Sequence, residues 1–121
     1  MNALLVALGG AIGALSRYGI SLLMNRGSFP WGTLCVNLIG SFVIGLVVFC
    51  GAKQSWSQGA LLFVVTGILG GFTTFSAFSL ENLQLIQDGK IGQALVYGLG
   101  STAIGLFLAY CGFLLAQKLT S

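Results

Sequence analysis

The chain has 121 residues, of which 56% are hydrophobic and 6% charged, with a mean hydropathy of +0.99 and a net charge of +3. Soluble globular chains carry about 25% charged residues, so the composition excludes a water-soluble domain and makes a lipid bilayer the natural solvent. The few Lys and Arg are too scattered to grip nucleic acid, and the absence of histidine removes the commonest metal ligand and proton shuttle.

A bilayer-spanning helix needs about 20 apolar residues, whereas the strands of a membrane β-barrel alternate apolar and polar residues. The runs here are continuously apolar, which predicts an all-α membrane protein of four transmembrane helices, one domain over 1–121 with no soluble part. The first helix covers about 3–24. No basic residue precedes it, while Arg17 and Arg26 follow towards its far side, the reverse of a signal peptide, so it is expected to remain as a helix. Asn25 to Pro30 supply turn residues and the only proline, and the second helix covers about 31–51. Lys53 to Gln58 form a polar break in which Trp56 suits the membrane interface.

The third helix, about 59–86, is apolar to Leu69, meets Gly70-Gly71, and then carries Thr73, Thr74, Ser76 and Ser79 before Glu81. Adjacent glycines followed by threonines predict a break near 70–76, which a membrane tolerates only where the freed backbone groups are buried in protein or face a cavity or ion. After Gln87 to Lys90, the fourth helix covers about 91–116. Glycine is abundant at 19 residues, and Gly9 with Gly13 and Gly67 with Gly71 fit the G-x-x-x-G spacing that lets membrane helices approach closely. Cys35, Cys50 and Cys111 form an odd set without C-x-x-C spacing and read as small hydrophobes.

Across four spans, Lys53 and Lys118 fall on one side and Arg26 and Lys90 on the other, with Arg17 inside the first helix. Lys/Arg imbalance sets membrane orientation, so a chain balanced two against two is expected to insert both ways up and to assemble as an antiparallel, dual-topology homodimer.

Polar side chains inside a membrane are costly and mark candidate sites. Thr33, Asn37 and Ser41 recur every four residues on one face of the second helix, and Asn37 either bonds between helices or offers its NH₂ donors to an interior ion. Phe72, Phe75 and Phe78 recur every three residues beside Thr73, Ser76 and Ser79. Such rings either pack or present their positive edges to an anion next to hydroxyl donors. Tyr97 and Ser101, one turn apart, extend that donor line. Arg17 either snorkels to the headgroups or draws anions to a pore entrance, and Glu81 is either an interfacial carboxylate or a group at a pore mouth. With no histidine and few acids, no nucleophile, base and orienting partner can be assembled, so the chain is not expected to be an enzyme.

Three segments taken together, Gly9-Gly10-x-x-Gly13-Ala14-x-x-Arg17-Tyr18, Gly32-Thr33-Leu34-x-Val36-Asn37-x-x-Gly40 and Gly67-x-x-Gly70-Gly71-Phe72-Thr73-Thr74-Phe75-Ser76-Ala77-Phe78-Ser79-x-Glu81, resemble the CrcB/Fluc fluoride channel family across all four spans. The resemblance implies a bacterial inner-membrane channel for passive fluoride efflux, built as an antiparallel homodimer with paired pores. It implies that Phe75, Phe78 and Asn37 face the anion, and that Ser76, Ser79, Thr33, Tyr97 and Ser101 lie on or near its polar track. Arg17 then stands near an aqueous vestibule and Glu81 near the other pore end. It further implies a structural sodium ion at the dimer centre, held by the main-chain carbonyls of Gly70 and Thr73 from both chains. Ala77 stands where the family motif often has threonine, so one hydroxyl is missing from the track. Two other readings compete. A small multidrug-resistance exporter needs a membrane-embedded acid in its first helix, which here holds Arg17 and no acid. A holin-like assembly protein has no use for three ordered polar faces.

Overall fold

The computed structural model describes residues 1–25, 27 and 29–120. Arg26 and Ser28, the first of which enters the charge balance above, lie outside the described residues. The chain forms α1 (Asn2–Met24), α2 (Trp31–Lys53), a third segment in several pieces, and α6 (Ile91–Thr120). The third segment begins as α3 (Gln58–Leu61), continues as a π-helix (Leu62–Leu69) and a single α turn, α4 (Gly70–Phe72), and resumes as α5 (Phe75–Gln87). Four stretches, Asn2–Met24, Trp31–Lys53, Gln58–Gln87 and Ile91–Thr120, are long and apolar enough to cross a membrane. At 1.5 Å per residue the 23 residues of α1 reach about 34 Å, which exceeds a hydrocarbon core of about 30 Å.

Packing is consistent with that solvent. Few side chains are buried, chiefly Val36, Leu69, Leu85, Ala94, Tyr97 and Ala116, while Leu23, Leu99 and Leu106 stand more than 70% exposed. Water would not tolerate so much bare apolar surface, and lipid does. The chain is a multi-pass membrane protein.

Close backbone approach holds the helices together, because lipid is as apolar as leucine and gives helices no hydrophobic reason to associate. The most extensive pairing joins α2 to α6, and the next joins α1 to the π-helix. In the first, a Cβ on Gly45 would strike the Ala109 carbonyl and one on Gly112 the Phe42 carbonyl. In the second, a Cβ on Gly9 would strike the Phe63 carbonyl and one on Gly13 the Ile68 carbonyl, and in α4 one on Gly71 would strike the Gly10 carbonyl.

Within the 70–76 stretch the residues out of helical geometry are the threonines and not the glycines. Gly70 and Gly71 are helical, and the extended residues are Thr73 (φ −90°, ψ 152°) and Thr74 (φ −152°, ψ 129°). The physical reason lies on both sides of the lapse. Gly71 is small because α1 lies against it, which is a packing role. Thr74 is the N-cap of α5, its Oγ1 accepting from the Ala77 N–H at 3.3 Å, so the new helix starts at Phe75 with its first-turn donors partly satisfied. Phe72 therefore leaves the periodic set with Phe75 and Phe78, since two extended residues separate it from them. The last helix also runs four residues beyond the expected end at 116, to Thr120, where Lys53 Nζ donates to the Thr120 carbonyl at 2.7 Å. That bond sets the C-terminal ends of α2 and α6 side by side. The three cysteines are free and half-buried.

Candidate functional site

The lapse in the third segment opens a groove of about 390 Å³ between α2, the π-helix, α5 and α6. Asn37, Ser41, Thr73, Thr74, Phe75, Phe78, Ser101 and Thr102 bring its polar and aromatic groups, Gly70 lies at its edge, and among the described residues no charged side chain lines it. Asn37 organises one wall. Its Oδ1 accepts from the Thr74 N–H at 3.1 Å, and its Nδ2 lies 3.5 Å from the Thr74 carbonyl. In a continuous helix that N–H would donate to the Gly70 carbonyl. Asn37 therefore takes over a backbone donor that the lapse sets free, and its second amide N–H has no partner among the described residues.

The hydroxyls around the groove mostly spend their protons on their own helices. Ser41 Oγ donates to the Asn37 carbonyl at 2.7 Å, Thr73 Oγ1 to the Leu69 carbonyl at 2.8 Å and Thr102 Oγ1 to the Gly98 carbonyl at 2.9 Å. Thr74 Oγ1 pairs with Ser76 Oγ at 3.1 Å. Ser101 differs: its Oγ is buried and without a hydrogen-bond partner among the described residues. Native proteins seldom leave such a group unsatisfied, so an orphan hydroxyl on a groove wall is a place for a ligand.

A series of rings leads away from the groove. Phe75 and Phe78 have centroids 5.7 Å apart, Phe78 lies 4.9 Å from Tyr97, and Tyr97 meets Phe29 edge-on at 5.4 Å. Tyr97 is fully buried and packs with Leu85 and Ala94, whereas Phe75 is 78% exposed, so the ring series is covered at one end and bare at the other.

Beyond Phe78 lies a second polar cluster, centred on Glu81. Its Oε2 accepts from Thr33 Oγ1 at 2.9 Å and Asn25 Nδ2 at 3.3 Å, and its Oε1 accepts from Tyr97 Oη at 3.2 Å. On its far side is a polar cavity of about 480 Å³ lined by Asn25, Gln84, Gln87 and Asp88 among others. Glu81 thus stands between the ring series and an opening at the end of the bundle. Arg17 takes another position, its Nε donating to the Gly71 carbonyl at 3.2 Å and so tying α1 to the turn that precedes the lapse.

Of the residues singled out in the sequence, Asn37, Phe75, Phe78, Ser101 and Thr73 meet at the groove, with Gly70 at its edge. Thr33, Tyr97 and Glu81 form the adjoining cluster. Ser76 and Ser79 sit on the exposed side of α5 outside the groove of the single chain. The carbonyls of Gly70 and Thr73 receive no hydrogen bond among the described residues. Sequence reasoning passed over Asn25 as turn punctuation, although Pro30 offers α2 no capping side chain and so leaves its first N–H groups needing an acceptor from elsewhere. Thr102 also went unremarked, and its spacing next to Ser101 gave no signal.

The chain matches the family described as CrcB-like protein, Camphor Resistance (CrcB), over residues 4–113. It is 52% identical over 119 residues to a protein of Thermus thermophilus named fluoride-specific ion channel, covering 96% of this chain and 95% of that one. It is 44% identical over 123 residues to a protein of the same name from Agrobacterium fabrum, covering 98% of each chain. Identity to the one from Helicobacter acinonychis is likewise 44%, over 117 residues, 93% of this chain and 92% of that one. With a family match along nearly its whole length and relatives this similar, the chain belongs to the CrcB family.

Proposed function

We propose that this chain is a fluoride-selective channel through which fluoride leaves the cytoplasm passively across the bacterial inner membrane, lowering its toxicity. The observation that carries the reading is the Ser101 hydroxyl, which among the described residues has no partner and shares a groove without charged side chains with the spare Asn37 N–H and the Phe75 and Phe78 rings. Fluoride holds its water tightly, and a site that strips it must offer donors in return. Here the donors are neutral, and aromatic ring edges add positive potential without a full charge that would trap the ion. Thr74 and Phe75 also set the N-terminus of α5 at the groove, where backbone N–H groups favour an anion. Relatives named fluoride-specific ion channels support the same conclusion, and the chain is not an enzyme. A proton-coupled exporter would need a membrane-embedded acid in its first helix, whereas that helix holds none and Glu81 is engaged by three side chains.

The proposal extends to an antiparallel homodimer of chains inserted both ways up, each groove closed by the partner, with Ser76 and Ser79 turned towards that side. The open flank of the groove at Phe75 and the balanced Lys and Arg support it. It includes a sodium ion at the dimer centre, held by the Gly70 and Thr73 carbonyls of both chains. Those carbonyls lack donors among the described residues, and carbonyl oxygens at unwound helix segments suit a hard cation. In this reading Arg17 supplies positive potential at the vestibule, and Glu81 with Thr33 and Tyr97 forms the other pore end.

The deciding experiment loads purified protein in liposomes with fluoride or chloride and follows efflux with ion-selective electrodes. Rapid fluoride efflux, poor chloride efflux and no requirement for a proton gradient are expected. Absence of fluoride efflux, or strictly proton-coupled flux, overturns the channel. Tags on the C-terminus are expected on both membrane faces, and a tag found on one face only removes the dual topology.

A further inference from the structure

Asn25 follows the last residue of α1, in a segment that sequence reading treats as a turn, yet one side chain there joins three parts of the molecule. Its Oδ1 accepts from the Gly32 N–H at 2.6 Å and the Thr33 N–H at 3.3 Å, while its Nδ2 donates to Glu81 Oε2 at 3.3 Å. The direction of the amide is set by its partners, two N–H groups on one side and a carboxylate on the other. Gly32 makes the fit possible: a Cβ there would stand 2.8 Å from Asn25 Oδ1 and push the amide away. Thr33 is held at both ends of this arrangement, its N–H by Asn25 and its hydroxyl by Glu81.

We propose that Asn25 is a positioning residue that fixes the Glu81 carboxylate, and with it the polar end of the fluoride pathway, against the start of α2. The assignment rests on the channel reading above. Without the amide donor, Oε2 keeps Thr33 and Oε1 keeps Tyr97, and the carboxylate loses the contact that holds it from the side of the cavity lined by Asn25, Gln84, Gln87 and Asp88. The acceptor half of the side chain caps α2, and the donor half orients Glu81.

Asn25→Asp separates these halves. A carboxylate is at least as good an acceptor for the N–H groups at a helix N-terminus, so the cap survives. The donor is lost, and a second negative charge faces Glu81. The other charged groups around this carboxylate, among the described residues, are Arg17 from α1 and Asp88 at the end of α5; Tyr97 from α6 is its titratable hydroxyl neighbour.

The experiment compares wild type, Asn25→Asp and Asn25→Ala in liposomes by fluoride electrode, with assembly judged by size-exclusion chromatography. Flux is expressed relative to wild type at the same pH, from about pH 8.5 to about pH 6. Asn25→Asp is expected to assemble normally and to lose flux about tenfold or more at the alkaline end, the loss of a hydrogen bond to a charged group. The ratio is expected to climb towards wild type as the pH falls, because one of two apposed carboxyls takes up a proton and restores a donor between them. Asn25→Ala is expected to lose flux with a ratio that does not depend on pH. Wild-type flux in Asn25→Asp, a pH-independent loss, or a failure of Asn25→Asp to assemble each overturns the proposal, the last two by making the side chain structural. A wild-type protein that moves no fluoride defeats the channel reading itself, which the paired controls keep distinct.

Discussion

The two sides of the third segment are secured by opposite means. Towards α1, the π-helix and α4 present Gly67 and Gly71 to Gly9 and Gly10, and Gly13 meets the backbone of Ile68 and Phe72, so the contact is backbone against backbone with Arg17 as a polar clasp. Towards α2 and α6, α5 presents Glu81 and the backbone of Thr74 to Thr33, Asn37 and Tyr97, and the contact is made by side-chain hydrogen bonds. The first side works by what its residues lack, and the second by what they carry. The pathway belongs to the second, because only side chains that keep a spare donor can serve an ion. Stability should therefore respond mainly to changes on the first side and conduction mainly to changes on the second.

Gly13→Ala gives the largest expected effect. Its Cβ would meet the Ile68 carbonyl and the Phe72 N–H, both backbone groups, so α1 has to move away; overpacking of this kind costs about 3 kcal/mol. Tryptophan-monitored thermal unfolding in detergent is expected to show the loss, together with loss of flux. If Gly13→Ala melts like the wild type, the backbone contact is not what holds the α1 side.

Glu81→Leu comes next. It leaves the buried Thr33 and Tyr97 hydroxyls without their acceptor, at about 1 kcal/mol each, and the exposed Asn25 amide without its partner, while the glycine contacts stay intact. Flux is expected to vanish while the protein still assembles, as checked by electrode and size-exclusion chromatography. Unfolding as complete as that of Gly13→Ala would erase the division between the two sides.

Phe78→Ile removes the ring between Phe75 and Tyr97 and keeps an apolar side chain in its place. Flux is expected to drop about tenfold, the value of roughly one ring–anion or ring–ring contact, with little change in melting. A double change of Phe75 and Phe78 that conducts normally would move the anion path elsewhere. Ala77→Thr is the smallest, restoring the hydroxyl the family motif often carries; flux within about twofold of wild type is expected, since Ser76 and Ser79 already supply hydroxyls on either side.

The four spans were legible because hydropathy reports the solvent directly, and the polar face of α2 was legible because helical periodicity holds along it. Periodicity misled at the third segment. Counting Phe72 with Phe75 and Phe78 assumes a continuous helix, and the extended Thr73 and Thr74 undo that assumption. Gly70 and Gly71 stand at the start of the 70–76 stretch but stay helical: glycine weakens a helix by propensity, but it also admits a neighbour, and for Gly71 beside α1 the second property decides. Threonine as an N-cap was the better local sign of where α5 begins. Asn25 could not be recognised from spacing, because its partners are a helix start seven residues on and an acid 56 residues away. Only the fold brings them together.

The π-helix has a bearing on how such chains tolerate insertion and deletion. A π turn stores more residues per unit of axial length than an α turn, so Leu62–Leu69 holds slack that α1, α2 and α6 lack. Removing one residue from an α-helix rotates everything after it by about 100°, which in α2 would swing Asn37 off the groove. Removing one from Leu62–Leu69 can be absorbed by a return to α geometry, leaving Gly71 against α1 and Thr74 against Asn37. The third segment is thus where this compact bundle can change length without losing register.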